Sequence, residues 1–337
     1  MKDSEISPLE GDYIETMEGL LFAVKGIHHP PGYTIAYLRY IPDPQGRREK
    51  GGRRYRRLYD IGETDDILRR KYPQYLNKIE RKSITLQSVP DDFVRRRYNP
   101  REMLDEILEA PEGALEETIL KLVRSLEEQG ASPKVMGISG SVLVGLAGQG
   151  SDIDLISYGK EEGRRFYEIL KELREEGDLI RPYNAKSVRG VVVARWGDTG
   201  LDLDLLTLIE QRKVLHGLVD GRDYFVRLVK LPQEFEEEYS QPVGVVSLKG
   251  VVGNISDSIY TPCIYRIKGI HFLGGFRGPE PSELLSYRGK FTEQAEEGDI
   301  VELRGTLEKA IREGQTVHRI VLGAKGDYLV PVDSFEG

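Results

Sequence analysis

The sequence predicts an α+β protein of more than one domain, and three observations predict it. Residues 12–42 and the stretch from Pro242 onward place short alternating apolar runs between glycines and prolines, as strands do. Residues 100–128 and 162–176 instead repeat apolar residues at helical spacing. A chain of 337 residues also exceeds one typical domain. The expected division is an N-terminal basic α+β domain over residues 1–98, a central domain of mixed sheet and helices over 99–232, and a small C-terminal β-barrel over 233–337.

Composition narrows the class. Hydrophobic residues are 39% and charged residues 31% of the chain, which suits a soluble globular protein with a full core. One cysteine, Cys263, excludes an internal disulfide and a cysteine metal cluster. The five histidines show no metal-ligand spacing. No run of eighteen apolar residues exists and the polar N-terminus lacks a signal-peptide stretch, so the expected location is the cytoplasm with no membrane partner. The net charge of −8 is unevenly spread: residues 1–100 hold 19 Lys+Arg against 15 Asp+Glu, a balance of +4, which leaves −12 for the rest. A polyanion would therefore be met mainly at the front of the chain.

In that front third, Gly19–Gly26 and Tyr33–Ile41 read as a hairpin across His28-His29-Pro30-Pro31-Gly32. Seven basic residues follow in eleven positions: Arg47, Arg48, Lys50, Arg53, Arg54, Arg56 and Arg57, with Tyr55 and Tyr59 nearby. Two readings stand side by side. The tract is either a hairpin tip that grips a phosphate backbone, a tyrosine stacking on a base, or a solvated loop guarding a sheet edge. Residues 64–82 predict a helix capped by Thr64, with Tyr72, Tyr75, Leu76 and Ile79 facing a core. Ser83–Val89 predicts a strand, and residues 91–100 a connector into the next domain.

The central domain opens with two amphipathic helices, Pro100–Glu109 and Ala114–Glu128, the second ended by Gly130. The chain's most informative stretch follows, from Gly137 to Tyr158. A small-residue turn, Gly137-Ile138-Ser139-Gly140-Ser141, leads to a strand carrying Asp152-Ile153-Asp154-Leu155. Alternation on a strand puts Asp152 and Asp154 on one face, roughly 7 Å apart along the chain. Two like charges there are costly to bury unless a cation lies between them, and Mg²⁺ prefers oxygen ligands. Backbone N–H groups of the Gly140-Ser141 turn and the Ser141 hydroxyl suit a phosphate. After a helix over 162–176, Ala185–Trp196 and Leu201–Leu208 predict a hairpin across residues 197–200. Its second strand would bring Asp202-Leu203-Asp204 beside the first pair, with Lys186 and Arg189 as the nearest cations. Residues 209–232 mix helical and extended signals.

This arrangement resembles the nucleotidyltransferases of the DNA polymerase β superfamily: Gly140-Ser141, Gly145, then Ser151-Asp152-Ile153-Asp154-Leu155, and a later strand-like Asp-x-Asp. The resemblance implies a polymerase β-like core and two Mg²⁺ ions, Mn²⁺ being an alternative, held by Asp152, Asp154 and Asp204, with Asp202 as the other candidate. It implies an NTP held by Gly140, Ser141, Gly145 and Ser151 with Lys186 and Arg189, and an acceptor hydroxyl. The basic front (Arg47, Arg48, Arg53, Arg54, Arg56, Arg57) favours RNA, such as a tRNA-like 3′ end, over a protein or small molecule. One departure stands out, since many relatives carry a basic or small residue where this chain has Val142-Leu143-Val144. A nucleotide- or RNA-binding module without chemistry is the reading of a different class. The sequence leaves base preference and oligomeric state open.

From Pro242, strands are expected at 243–252, 260–267, 284–291, 299–307, 317–322 and 328–332. That spacing argues for a small closed barrel, the OB type among the forms it fits. Tyr260, Tyr265, Phe272, Phe276 and Tyr287 read as core or rim aromatics.

Overall fold

The structure is a computed structural model that describes residues 7–197, 199–236, 238–275 and 277–332. Asp198 of the expected hairpin turn and Phe276 lie outside the described residues.

The front third is a sheet. Its elements are β1 (Tyr13–Thr16), β2 (Leu21–Val24), β3 (Tyr33–Pro42), β4 (Arg48–Lys50), β5 (Arg53–Arg57), α1 (Ile61–Lys71), β6 (Leu76–Ile79), β7 (Ile84–Pro90) and β8 (Val94–Tyr98). The strands run β4-β5-β3-β2-β1-β8, with β7 on β3 and β6 on β7. The expected hairpin is β2–β3, and the basic tract is the hairpin β4–β5, turned by Gly51 and Gly52 at φ 55° and 73°. Only glycine adopts two such angles in succession cheaply.

Two expectations are corrected here. The helix begins earlier and stops sooner than residues 64–82: Asp60, not Thr64, is the cap, accepting from the Glu63 N–H, and Thr64 is buried. Pro73 has no N–H to continue the helix and disfavours helical backbone at Tyr72, so residues 76–79 leave as a strand. The supposed connector contains β8, which pairs with β1 through Ile14 and Arg97.

The central run comprises α2 (Pro100–Glu109), α3 (Gly113–Glu128), β9 (Met136–Ile138), α4 (Gly140–Leu143), β10 (Ile153–Tyr158), α5 (Lys160–Glu176), β11 (Ile180–Arg181), α6 (Ala185–Trp196), α7 (Leu203–Arg212), β12 (His216–Val219) and β13 (Arg222–Val229). Strand β10 lies between antiparallel β9, with Leu155 opposite Ile138, and parallel β13, with Asp154 opposite Phe225. All six of its residues are buried, as in a strand covered on both faces.

The expected hairpin over 185–208 is a pair of helices instead. The run Val191-Val192-Val193 favours a strand by propensity. Burial decides otherwise, since Val188, Val192 and Trp196 recur every fourth residue and are fully enclosed. Side-chain caps start both helices: Asn184 accepts from the N–H groups of Lys186 and Ser187, and Asp202 from those of Asp204 and Leu205.

The C-terminal elements are β14 (Tyr239–Asp257), β15 (Tyr260–Thr261), β16 (Cys263–Gly275), β17 (Glu283–Ser286), β18 (Ile300–Arg312), β19 (Gln315–Val321) and β20 (Tyr328–Pro331). Strand β14 pairs with β16 and also with β18; β16 pairs with β17, β17 runs parallel to β19, and β19 pairs with β18. The pairings thus return to β14, whose long run is bent by several bulges against β16.

By contacts the chain forms two compact units. One holds residues up to Glu80, Ile84–Ile169 and Val219–Phe235; the other holds Arg81–Ser83, Leu170–Leu218 and Glu236 onward. Within the first, Leu143, Val144 and Leu146 are buried among Tyr13, Tyr40, Tyr55 and Tyr98 of the front sheet. The apolar spacer after Gly140-Ser141 is therefore core. Within the second, Val188, Val192, Trp196, Leu206 and Ile209 share one core with Val246, Leu248, Tyr265, Phe291 and Leu303.

Candidate active site

The Gly-Ser turn and the Asp-x-Asp strand meet at one residue. Gly140 has φ +65°, and a Cβ built on it would lie 1.9 Å from Asp154 Oδ2. No side chain fits there, so glycine lets the turn's backbone lie directly against the carboxylate. Neighbouring bonds fix the turn. Ser139 N donates to Asp154 O at 2.8 Å, and Ser139 Oγ donates to Gly11 O at 2.6 Å. Ser141 Oγ and Ser151 Oγ are 3.1 Å apart, and Ser151 Oγ accepts from Gly148 N at 2.9 Å and from Arg48 Nη1 at 3.1 Å.

Asp154 is buried, while Asp152, one residue ahead of the strand, is half-buried. Burial pushes the Asp154 carboxyl above the usual carboxylate range; the charge of Asp152 adds to this, and Arg227, Arg57 and Arg39 oppose it. Arg227 Nη2 stands 3.6 Å from Asp154 Oδ1, and its guanidinium lies over the Phe225 ring. Arg57 stacks on Tyr59, and its buried Nε lacks a hydrogen-bond partner among the described residues.

The register brings in a carboxylate that the sequence reading passed over. Ile153 lies opposite Tyr224 and Asp154 opposite Phe225 in the parallel ladder. Continuing that register one step back, beyond its first pair, would set Asp223 level with Asp152. Alternation puts Asp223, Phe225 and Arg227 on the face that carries Asp152 and Asp154. Asp223 is exposed. The signal was present in the alternation of Tyr224, Val226 and Leu228 with these three residues, inside a stretch whose mixed composition hid it.

Asp202 and Asp204 do not sit on a strand. Asp202 is the cap of α7, and Asp204, in its first turn and 83% exposed, is paired with Arg189 at 3.0 Å. Lys186 and Arg189 lie on α6. All four belong to the second unit, whereas Gly140, Ser141, Gly145, Ser151, Asp152 and Asp154 belong to the first. The basic tract, also in the first unit, divides by partner. Arg56 pairs with Glu63 and Asp43, Arg53 donates to Glu18 O, and Arg47 and Arg54 are exposed. Arg48 and Lys50 turn toward the Gly-Ser loop.

Asp152 and Asp154 fit a divalent cation by donor chemistry: they are two oxygen-bearing groups, one of them buried, where a cation's charge would offset the burial that raises the Asp154 carboxyl. Among the described residues no three His, Cys, Asp or Glu side chains are gathered closely enough to hold a metal by themselves. No helix of the described residues is long and apolar enough to cross a membrane.

A family model described as a nucleotidyltransferase domain matches residues 116–194, which contain the Gly-Ser turn, β10 and α5. Over 327 residues the chain is 30% identical to an archaeal protein, "Uncharacterized protein MJ1086" of Methanocaldococcus jannaschii, covering 93% of this chain and 94% of that protein. No solved structure matches the chain.

Proposed function

Because the chain belongs to the nucleotidyltransferase superfamily of the DNA polymerase β type, we propose that it moves an NMP from an NTP to a hydroxyl acceptor, releasing pyrophosphate. The observation that supports this reading is the close approach of Gly140 to the Asp154 carboxylate, which puts the Gly-Ser turn and the strand acid at one point. Asp152 and Asp154 would hold Mg²⁺, or Mn²⁺ in its place, and the third carboxylate's part would fall to Asp223 rather than Asp204, as proton acceptor and not as a metal ligand. When bound, the metal supplies charge for the phosphates and acidifies the attacking hydroxyl. The turn's N–H groups and Ser141 Oγ orient the terminal phosphates. Asp223, exposed and level with Asp152 on continuing the register one step, is the group that would accept the acceptor's proton.

The acceptor we propose is an RNA 3′ end in the cytoplasm. The exposed Arg47 and Arg54 support it. So does the ring of strand pairings in the C-terminal segment, which reads as a small barrel of the OB type.

The test uses purified protein, Mg²⁺, each labelled NTP in turn and total RNA. Label should enter RNA and be lost in Asp152→Ala/Asp154→Ala. Label entering protein or a small molecule would keep the chemistry and remove RNA. Within that assay, Asp223→Asn should cut transfer by about a hundredfold, in the range of general-base losses. Asp204→Asn should change it less than threefold. The reverse ranking would return the third carboxylate to α7.

One observation favours a module without chemistry: Arg227 already neutralises Asp154. NTP affinity that stays the same with and without Mg²⁺, together with no transfer, would establish that reading.

A further inference from the structure

We propose that the hairpin β4–β5 is part of the nucleotide site, with Arg48 and Lys50 taking the β- and γ-phosphates of the triphosphate. This rests on the nucleotidyltransferase reading and assigns a substrate contact to a segment whose composition suggested nucleic acid. A triphosphate carries several negative charges, and the spacer after Gly140-Ser141 offers none to match them. Val142, Leu143 and Val144 are all buried. The front sheet covers that spacer, and the same sheet delivers cations to the loop beyond it.

Arg48 reaches Ser151 Oγ, which is itself bonded to Ser141 Oγ, so its guanidinium is one hydroxyl removed from the Gly-Ser turn. It lies across Gly148, where a built Cβ would come within 2.4 Å of Nη1. Lys50 runs alongside Gly145, its Cδ and Cε 3.7 Å from a Cβ built there, and its ammonium donates to Tyr98 OH at 2.6 Å. Gly148 thus keeps the loop bare where Arg48 crosses it, while the Lys50 stem lies in van der Waals reach of Gly145. Neither cation has a carboxylate within ion-pairing distance among the described residues, in contrast to Arg56, which is held by Glu63 and Asp43. A planar guanidinium matches a phosphate's paired oxygens, and the ammonium supplies a point charge beside it.

The experiment measures binding by calorimetry with Mg²⁺ and three probes: non-hydrolysable analogues of the four NTPs, the corresponding NMPs, and pyrophosphate. The proteins are the full chain, Arg48→Met, Lys50→Met, Arg48→Lys, and Arg69→Met as a remote control on α1. Arg48→Met and Lys50→Met should each weaken NTP analogue and pyrophosphate about tenfold to a hundredfold, as loss of a charged hydrogen bond does. NMP affinity should be unchanged, and a fold defect would lower it too. Arg48→Lys should fall between Met and wild type, and Arg69→Met should match wild type. Wild-type NTP affinity in both Met variants would overturn this proposal and leave the nucleotidyltransferase reading standing. Wild-type protein that binds no NTP analogue would overturn both.

Discussion

Replacing Gly140 by alanine should reduce nucleotidyl transfer by at least about a hundredfold, because a displacement of about 1 Å at a reacting centre is enough for that. The added Cβ would sit 1.9 Å from Asp154 Oδ2 and 2.8 Å from its Cγ, so either the turn or the carboxylate must move. The residue also stands at φ +65°, which an L side chain adopts at a cost of about 1–2 kcal/mol. Rotating Asp154 to relieve this would disturb its Oδ1, which lies 3.6 Å from Arg227 Nη2. Thermal unfolding should therefore record a loss of about 2–4 kcal/mol from strain and overpacking together. A Gly140→Ala protein with wild-type transfer would mean that the turn and the strand acid do not act together. In contrast, Gly51 and Gly52 at the hairpin tip have open space around their Cβ positions, and their replacement should cost only the turn's backbone strain.

The second large effect belongs to a buried charge cluster in the second unit. Glu210 is fully enclosed and receives Arg195 at 2.8 Å, Lys213 at 3.3 Å and the Trp196 Nε1–H at 2.8 Å, while His216 Nε2 lies 3.3 Å away. Lys213 also donates to Gln294 Oε1 and Lys290 O, tying α7 to the C-terminal strands' connecting turn. Removing the acid in Glu210→Ala strands buried cations and should cost about 3–5 kcal/mol. Because Trp196 is the chain's only tryptophan, its fluorescence reports the cluster directly.

The same cluster sets an acid limit. Burial beside Arg195 and Lys213 holds His216 at about 3 against an ordinary 6.5. Below pH 6.5 the unfolded chain takes up a proton that the folded chain refuses, so stability falls with pH down to about 3. Glu210 is buried, yet Lys213 and Arg195 bring it down to about 2 from 4.5, so its contribution is whole above pH 4.5 and is lost as pH drops toward 2. Both work in the same direction. Unfolding followed by Trp196 fluorescence should show the melting temperature declining from pH 6.5 downward, and His216→Gln should remove the part between 6.5 and 4.5. A flat profile across that interval would mean that His216 is not held neutral.

Much of the protein follows from local pattern. The hairpin β2–β3, the helices α2, α3 and α5, and the glycine-spaced strands of the C-terminal segment each repeat a period that short stretches specify. The pairing of Asp152 with Asp154 on one face is of this kind, since alternation along a strand is a backbone property. The small-residue requirement at Gly140-Ser141 is legible for the same reason.

What the sequence could not decide were matters of partner. Leu201–Leu208 alternates like a strand, but Asp202 finds the N–H groups of Asp204 and Leu205 and becomes a cap instead, because side-chain capping competes with extended pairing. Val188, Val192 and Trp196 become a helical face because a core within their unit encloses that face, a packing effect that propensity does not contain. The proposal of Asp223 rests on a parallel register between strands separated by more than sixty residues, which no local pattern shows. The sequence alone determined that the small-residue turn is followed by a strand with two aspartates spaced for one face, since those features depend on neighbours along the chain. The tertiary structure alone decided which strand pairs with the aspartate strand and which cations lie against the Gly-Ser loop, since register and side-chain burial depend on segments that meet only in the fold.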